Sequence, residues 1–254
     1  MLRQSQFARA SPSPGSRSGI LSHACAGVVG ICALLLPGTV TAQVTGNVTL
    51  LSDYRFRGES LTEGQPALQA GVNYDHPGGA FLGGLVSNVR IDPDVSGLSA
   101  RVYAGYARPL DGRASWDAGI VTYAFPRPAS GPSYDYAEAF LGASFETLST
   151  RLYYTNNYFG GGTAAYLEVN ATRPIVERLF LVGHVGYLHL SQPREGLANI
   201  QSRGIIDMLA GVNVEVSGLT LGLSVVGSSA QQQSCPGGSG RCNTTAVLSL
   251  SHAF

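Results

Sequence analysis

The sequence predicts an all-β protein: an antiparallel up-and-down transmembrane β-barrel of about 12 strands. Three observations predict it. Nearly every segment after residue 42 alternates apolar and polar side chains with period two, and almost none shows a helical period. The connections between those segments are long and short by turns, as in outer-membrane barrels. The last segment alternates up to a terminal phenylalanine, Phe254.

Residues 1–42 differ from the rest. They carry Arg3, Arg9 and Arg17 and no acid, then the apolar run "ILSHACAGVVGICALLLPG" and "TVTA". Val40 and Ala42 suit a signal-peptidase site, so residues 1–42 are expected to be a signal peptide cleaved before Gln43. An uncleaved anchor is the alternative, but the run is short for a spanning helix and is interrupted by His23 and Pro37. Residues 43–254 then form the barrel domain. They hold thirteen arginines, no lysine and sixteen acids, a net charge of −3, with no electrostatic footprint of nucleic-acid binding.

Successive side chains of a strand point to opposite faces. In the first segment Val44, Gly46, Val48, Leu50, Ser52, Tyr54 and Phe56 share one face. Thr45, Asn47, Thr49, Leu51, Asp53, Arg55 and Arg57 share the other. Leu68, Ala70, Val72 and Tyr74 oppose Gln69, Asn73 and Asp75. Val102, Ala104 and Tyr106 oppose Arg101 and Tyr103. Trp116, Ala118 and Ile120 oppose Asp117, Gly119 and Tyr123. Ala139, Leu141 and Ala143 oppose Tyr136, Glu138 and Ser144. Leu152 and Tyr154 oppose Arg151 and Tyr153. Leu167 and Val169 oppose Tyr166, Glu168 and Asn170. Met208, Ala210 and Val212 oppose Asp207, Asn213 and Glu215. "AFLGGLVSNV", "LFLVGHVGYLHL" and "LTLGLSVVGS" alternate less cleanly, and "NTTAVLSLSHAF" closes the set.

The connections in chain order are "GESLTEGQ", "HPGG", "RIDPDVSG", "LDGR", "PRPASGPS", "TLS", "FGGG", "PIVER", Ser191–Ile206, "SG" and Ser228–Arg241. Every second one is a tight turn, so loops gather at one end of the barrel and turns at the other.

In lipid every backbone group must be paired within the protein, so a spanning sheet closes on itself. The apolar faces then meet outer-membrane lipid and the polar faces the lumen. The expected pore-lining residues are Asp53, Arg55, Arg57, Asp75, Arg101, Asp117, Glu138, Arg151, Glu168, Asp207 and Glu215. Tyr54, Phe56, Tyr74, Tyr106 and Trp116 fall near strand ends, where aromatic girdles belong. A soluble β-sandwich is the alternative. Its inner faces need large side chains, whereas these apolar faces are rich in Ala, Val, Gly and Leu.

Residues 44–89 resemble the opening of the TorF-type porins, a family of bacterial outer-membrane β-barrels. The resemblance rests on Ser52, Asp53, Tyr54, Arg57 and Gly58; on Pro66, Ala67, Gln69 and Gly71; on Phe81, Gly83, Ser87 and Asn88; and more weakly on Glu138 and Gly142. It covers about the first fifth of residues 43–254, and it implies a porin-like role.

No G-x-S-x-G, H-E-x-x-H, P-loop or G-x-G-x-x-G is present, so neither catalysis nor a cofactor is expected. His184 is expected to face the lumen and His189 to sit near a rim. Cys235 and Cys242, in "SCPGGSGRC", read as one disulfide closing a small loop, with a metal site as the weaker alternative. The functional expectation is a channel for small polar or charged solutes, with selectivity from Asp, Glu and Arg. The alternatives are a structural or surface-binding barrel and an outer-membrane enzyme acting on lipid. The expected partners are outer-membrane lipid, a small polar solute, and the barrel-assembly machinery through the strand ending at Phe254; nucleic acid is not among them.

Overall fold

The computed structural model describes residues 42–92, 95–127, 133–192, 203–230 and 242–254. The leader up to residue 41, Cys235, most of the Ser191–Ile206 segment and residues 231–241 lie outside the described residues.

Twelve strands form one closed antiparallel barrel. They are β1 (Gln43–Leu51), β4 (Ala67–Asp75), β5 (Ala80–Asp92), β6 (Val95–Pro109), β7 (Ala114–Ala124), β8 (Tyr136–Phe145), β9 (Leu148–Thr155), β10 (Ala164–Val176), β11 (Leu179–Leu190), β12 (Gly204–Val216), β13 (Leu219–Ser228) and β14 (Thr245–Ala253). Two short strands, β2 (Arg55–Phe56) and β3 (Glu59–Ser60), pair only with each other. Each barrel strand pairs with its neighbours in the chain, and β1 closes the ring on β14, Leu50 opposite Leu250.

The period-two pattern decides the facing. Leu68, Val72, Val102, Ile120, Leu141, Leu152, Met208, Leu221 and Leu248 are exposed on the outer wall. The tight turns fall at one end. One of them, Ser217–Gly218, has positive φ at both residues (50° and 81°), the type I′ geometry whose twist matches a hairpin.

Large inward side chains sit across from glycines. Phe81 pairs with Gly105, Tyr103 with Gly83, Phe140 with Gly119, and Arg151 with Gly142. A Cβ on Gly105, Gly83 or Gly119 would collide with the ring facing it, and one on Gly142 would collide with Asp117 and crowd Arg151. Glycine here makes room for rings that lie flat over the neighbouring strand, which accounts for part of the high glycine content.

Three expectations are corrected. The first strand stops at Leu51 rather than running to Arg57. Tyr54 and Phe56 pack against the interior cluster instead of joining an outer girdle. Most of "RIDPDVSG" is strand: β5 runs to Asp92 and β6 starts at Val95, and only residues 93–94 between them lie outside the described ones. The reason is burial, since Val89, Ile91 and Val95 extend the inward row and are 3%, 0% and 1% exposed. Finally, the interior is not uniformly polar. The less clean alternation of "AFLGGLVSNV" arises because Phe81, Leu85 and Val89 pack inside the barrel. Tyr74 and Tyr106 are exposed near the tight-turn end, with Trp116 6.1 Å from Tyr106.

Candidate functional site

The site is built on the stretch between β1 and β4. After Leu51 the chain turns into the barrel instead of crossing the rim. Phe56 and Glu59 pair across a two-residue turn made by Arg57 (φ 50°) and Gly58 (φ 80°). Both angles fit a type I′ turn, and a non-glycine residue at Arg57 is strained there.

The base of this hairpin is clamped by Asp53. Its carboxylate accepts hydrogen bonds from Ser60 Oγ (2.5 Å), Thr62 Oγ1 (3.1 Å) and Arg55 Nε (2.5 Å). Arg90 N donates to Leu61 O at 2.7 Å, which ties the return segment to β5. The tip crosses the interior. Arg57 Nη1 donates to Glu138 Oε1 (3.0 Å) and Nη2 to Oε2 (2.6 Å), a fork-on-fork ion pair. Around the barrel β8 lies five strands from β1, counted through β4, so the pair spans nearly to the opposite wall. Gly58 rests against Asp207 and Ser228 and leaves no room for a side chain.

Aromatic rings enclose the guanidinium. Arg57 Cζ lies 4.1 Å from the centre of Tyr166, 5.0 Å from Phe56, 5.3 Å from Tyr158 and 5.4 Å from Tyr153. Phe159 (φ 49°), on the 3₁₀ turn Tyr158–Gly160, lies 6.4 Å from Phe56 and 5.0 Å from Phe125. Tyr123 and Tyr136 stack at 4.6 Å. A second segment, between β9 and β10, thus folds inward and meets the first.

The remaining charges pair around this core. Arg151 Nη2 donates to Asp117 Oδ2 at 2.7 Å. Tyr153 Oη donates to Glu168 at 3.2 Å, and Tyr123 Oη to Glu138 at 3.2 Å. His184 faces inward: Nε2 is 2.8 Å from Asp207 Oδ1 and 3.0 Å from Tyr166 Oη, and Nδ1 is 2.6 Å from Asn170 Oδ1. This His–Asp pair is completed by a tyrosine and an amide, with no serine bonded to it among the described residues. His189 is exposed on the outer face near the loop end.

Of the expected site residues, the structure therefore gathers Asp53, Arg55, Arg57, Asp117, Glu138, Arg151, Glu168 and Asp207 into contacts inside the barrel. Asp53, Arg55 and Arg57 belong to the inward hairpin and not to the wall. Asp75 and Glu215 lie apart, near the tight-turn end. Arg101 points inward from β6. The residues that sequence reasoning did not single out are Tyr123, Tyr136, Tyr153, Tyr166 and Phe159. The first four already stood on the polar faces, and four inward tyrosines were the available signal.

The family described as "Bacterial protein of unknown function (Gcw_chp)" matches residues 37–254. The chain belongs to that family. No curated protein matches the chain in sequence. Among solved structures this Gcw_chp chain is similar to the NanC porin, with TM-score 0.52 and 11% identity over 84% of this chain and 99% of that one. The KdgM porin aligns with TM-score 0.50 and 11% identity over the same shares. So does the KdgM porin in complex with disordered oligogalacturonate, at 12% identity. These likenesses show a shared barrel fold.

Proposed function

We propose that this Gcw_chp chain is a bacterial outer-membrane channel for small polar or charged solutes, held closed at its loop end by the inward hairpin. One observation carries the reading. A closed barrel with an apolar outer wall has a separate segment, Arg55–Ser60, folded across its interior and fastened by Arg57 to Glu138. Its tip is held by that ion pair and the rings around Arg57, and its base by Asp53, so its release would break local contacts and leave the wall intact. Small polar side chains also line the wall beyond it: Thr45, Asn47 and Thr49 on β1, Asn213 on β12, and Ser249 and Ser251 on β14. The porin neighbours support the fold that this requires.

Localisation follows from the same reading. An outer wall of Val, Leu and Ile suits outer-membrane lipid, and β1 begins at Gln43, where cleavage of residues 1–42 would leave it. Phe254 directly follows the last strand, paired through its backbone to Gly46, as a substrate of the barrel-assembly machinery would. The Cys235–Cys242 bridge belongs to this reading too, supported by a buried Cys242 that is disulfide-bonded.

The test is conductance in a planar bilayer. The wild-type protein should be closed for most of the record. A variant with residues 54–61 replaced by a short Gly-Ser linker should give discrete, larger steps. Silence from both folded proteins would overturn the channel. It would favour the second reading, a surface-binding or structural barrel, to which the packed interior also points.

A further inference from the structure

Arg101 stands apart from the other interior charges. Its place on β6 is fixed on both sides: it sits opposite Leu85 of β5 and Tyr123 of β7, both buried inside the barrel. Each neighbouring arginine has its own carboxylate, Arg55 with Asp53, Arg57 with Glu138 and Arg151 with Asp117. Arg101 has none among the described residues, and its Nε is buried without a hydrogen-bond partner. Tyr123 lies opposite it on β7 and Tyr103 two residues along the same inward row, and the interior tyrosines Tyr54 and Tyr153 are near enough for their charge to act on it. Three of their hydroxyls are committed: Tyr123 to Glu138, Tyr153 to Glu168 and Tyr103 to Asn73. Tyr54, at the root of the inward hairpin, has no such hydroxyl partner among the described residues.

A half-buried guanidinium whose Nε–H is shut off from water and unused is an unfilled half of an ion pair. Its planar fork matches a carboxylate, which can take two parallel N–H bonds. A single negative charge balances it. A dianion would place surplus charge beside Glu138, one tyrosine away.

We propose that Arg101 and Tyr54 form a binding subsite for the carboxylate of a small monoanionic solute inside the barrel. This deepens the channel reading by naming a solute class, and it rests on that reading for its place in transport. Binding itself does not require conduction. The subsite adjoins the hairpin, because Tyr123 contacts both Arg101 and the Glu138 that holds Arg57.

The test uses the refolded protein in lipid nanodiscs with ¹⁵N-labelled arginine, titrated with sodium acetate, sodium chloride at equal ionic strength, and glucose. The Arg101 Nε–H resonance is assigned by its loss in Arg101→Lys. Acetate should move it saturably, and chloride and glucose should not. Arg101→Lys, which keeps the charge but loses the fork, should weaken acetate binding about tenfold or more. An Arg101 signal unmoved by acetate, or moved equally by chloride, would overturn the subsite. So would saturable binding that instead shifts Arg57 or Arg151. The wild-type titration decides even where the variant folds poorly. Conductance is read separately: a silent bilayer with a saturable Arg101 shift removes the channel and leaves the site.

Discussion

Arg57 and Glu138 are 81 residues apart in sequence and meet inside the barrel through two parallel hydrogen bonds. Both side chains are almost fully buried, 5% and 1% exposed. Such a pair contributes little net stability when compared with a well-packed apolar pair, but breaking one half strands the other. Glu138→Ala should therefore cost on the order of 3–5 kcal/mol of unfolding free energy in urea titrations from lipid vesicles. The double variant Arg57→Gln/Glu138→Gln should cost clearly less than the sum of its single changes. Additive losses would show that the two side chains are not coupled.

Gly83 faces Tyr103 across β5 and β6, and a Cβ there would overlap the Tyr103 ring and approach Asn73. Gly83→Ala should destabilise the barrel by about 1–3 kcal/mol, the usual cost of overpacking. Tyr103→Leu should restore much of that loss in the double variant, because the obstacle is the end of a side chain and not the backbone. Equal destabilisation with and without the Tyr103 ring would refute this account.

The period-two faces were legible because a barrel wall has one solvent on each side, and each strand records both. The inward hairpin was not legible. Ser52, Tyr54 and Phe56 continue the apolar face of β1, and Asp53, Arg55 and Arg57 continue its polar face, so alternation gives no break. The only punctuation is Gly58 after Arg57. An Arg-Gly turn lacks the Asn-Gly or Asp-Gly signature that marks most type I′ hairpins. Several of the residues that carry the TorF-type resemblance hold this hairpin in place, among them Asp53, Arg57, Gly58 and Glu138. Asp53 clamps its base. Asn88 accepts from Leu68 N (2.7 Å) and donates to Pro66 O (3.1 Å) where the chain rejoins the wall. Pairing between charges was also hidden, because facing alone does not say which strand lies across the lumen.

Asp111 lies in the turn between β6 and β7, fully exposed. Its carboxylate accepts hydrogen bonds from Arg113 N (2.8 Å) and Ala114 N (2.7 Å), which hold its pKa below the usual carboxylate value. A depressed folded-state pKa stabilises the turn above the unfolded value, and that contribution fades as pH falls through the folded one. NMR titration of the Asp111 carboxyl should show a midpoint below that of a free aspartate. Asp111→Asn should keep the turn at low pH, whereas Asp111→Ala should loosen it at every pH.

The bridge proposed between Cys235 and Cys242 gives a simple chemical expectation. Alkylation of the processed protein without reductant should label no cysteine, and reduction should expose two labelled sites. Labelling before reduction would show free thiols at the loop.

The seam between β1 and β14 bears on how the molecule is made. It is the shortest barrel pairing, five residue pairs from Asn47↔Ala253 to Leu51↔Ser249, fastened further by reciprocal backbone bonds of 2.8 and 2.9 Å between Gly46 and Phe254. Every other wall contact joins neighbours in the chain and can form by adding one hairpin at a time. This one joins segments about two hundred residues apart, so it carries the largest entropic cost of closure. Until it forms, two raw strand edges face either lipid or another chain. Assembly is thereby a race between the two ends of one polypeptide finding each other and either end finding a stranger. Shortening the final strand should shift the outcome toward aggregates well before it alters the finished barrel.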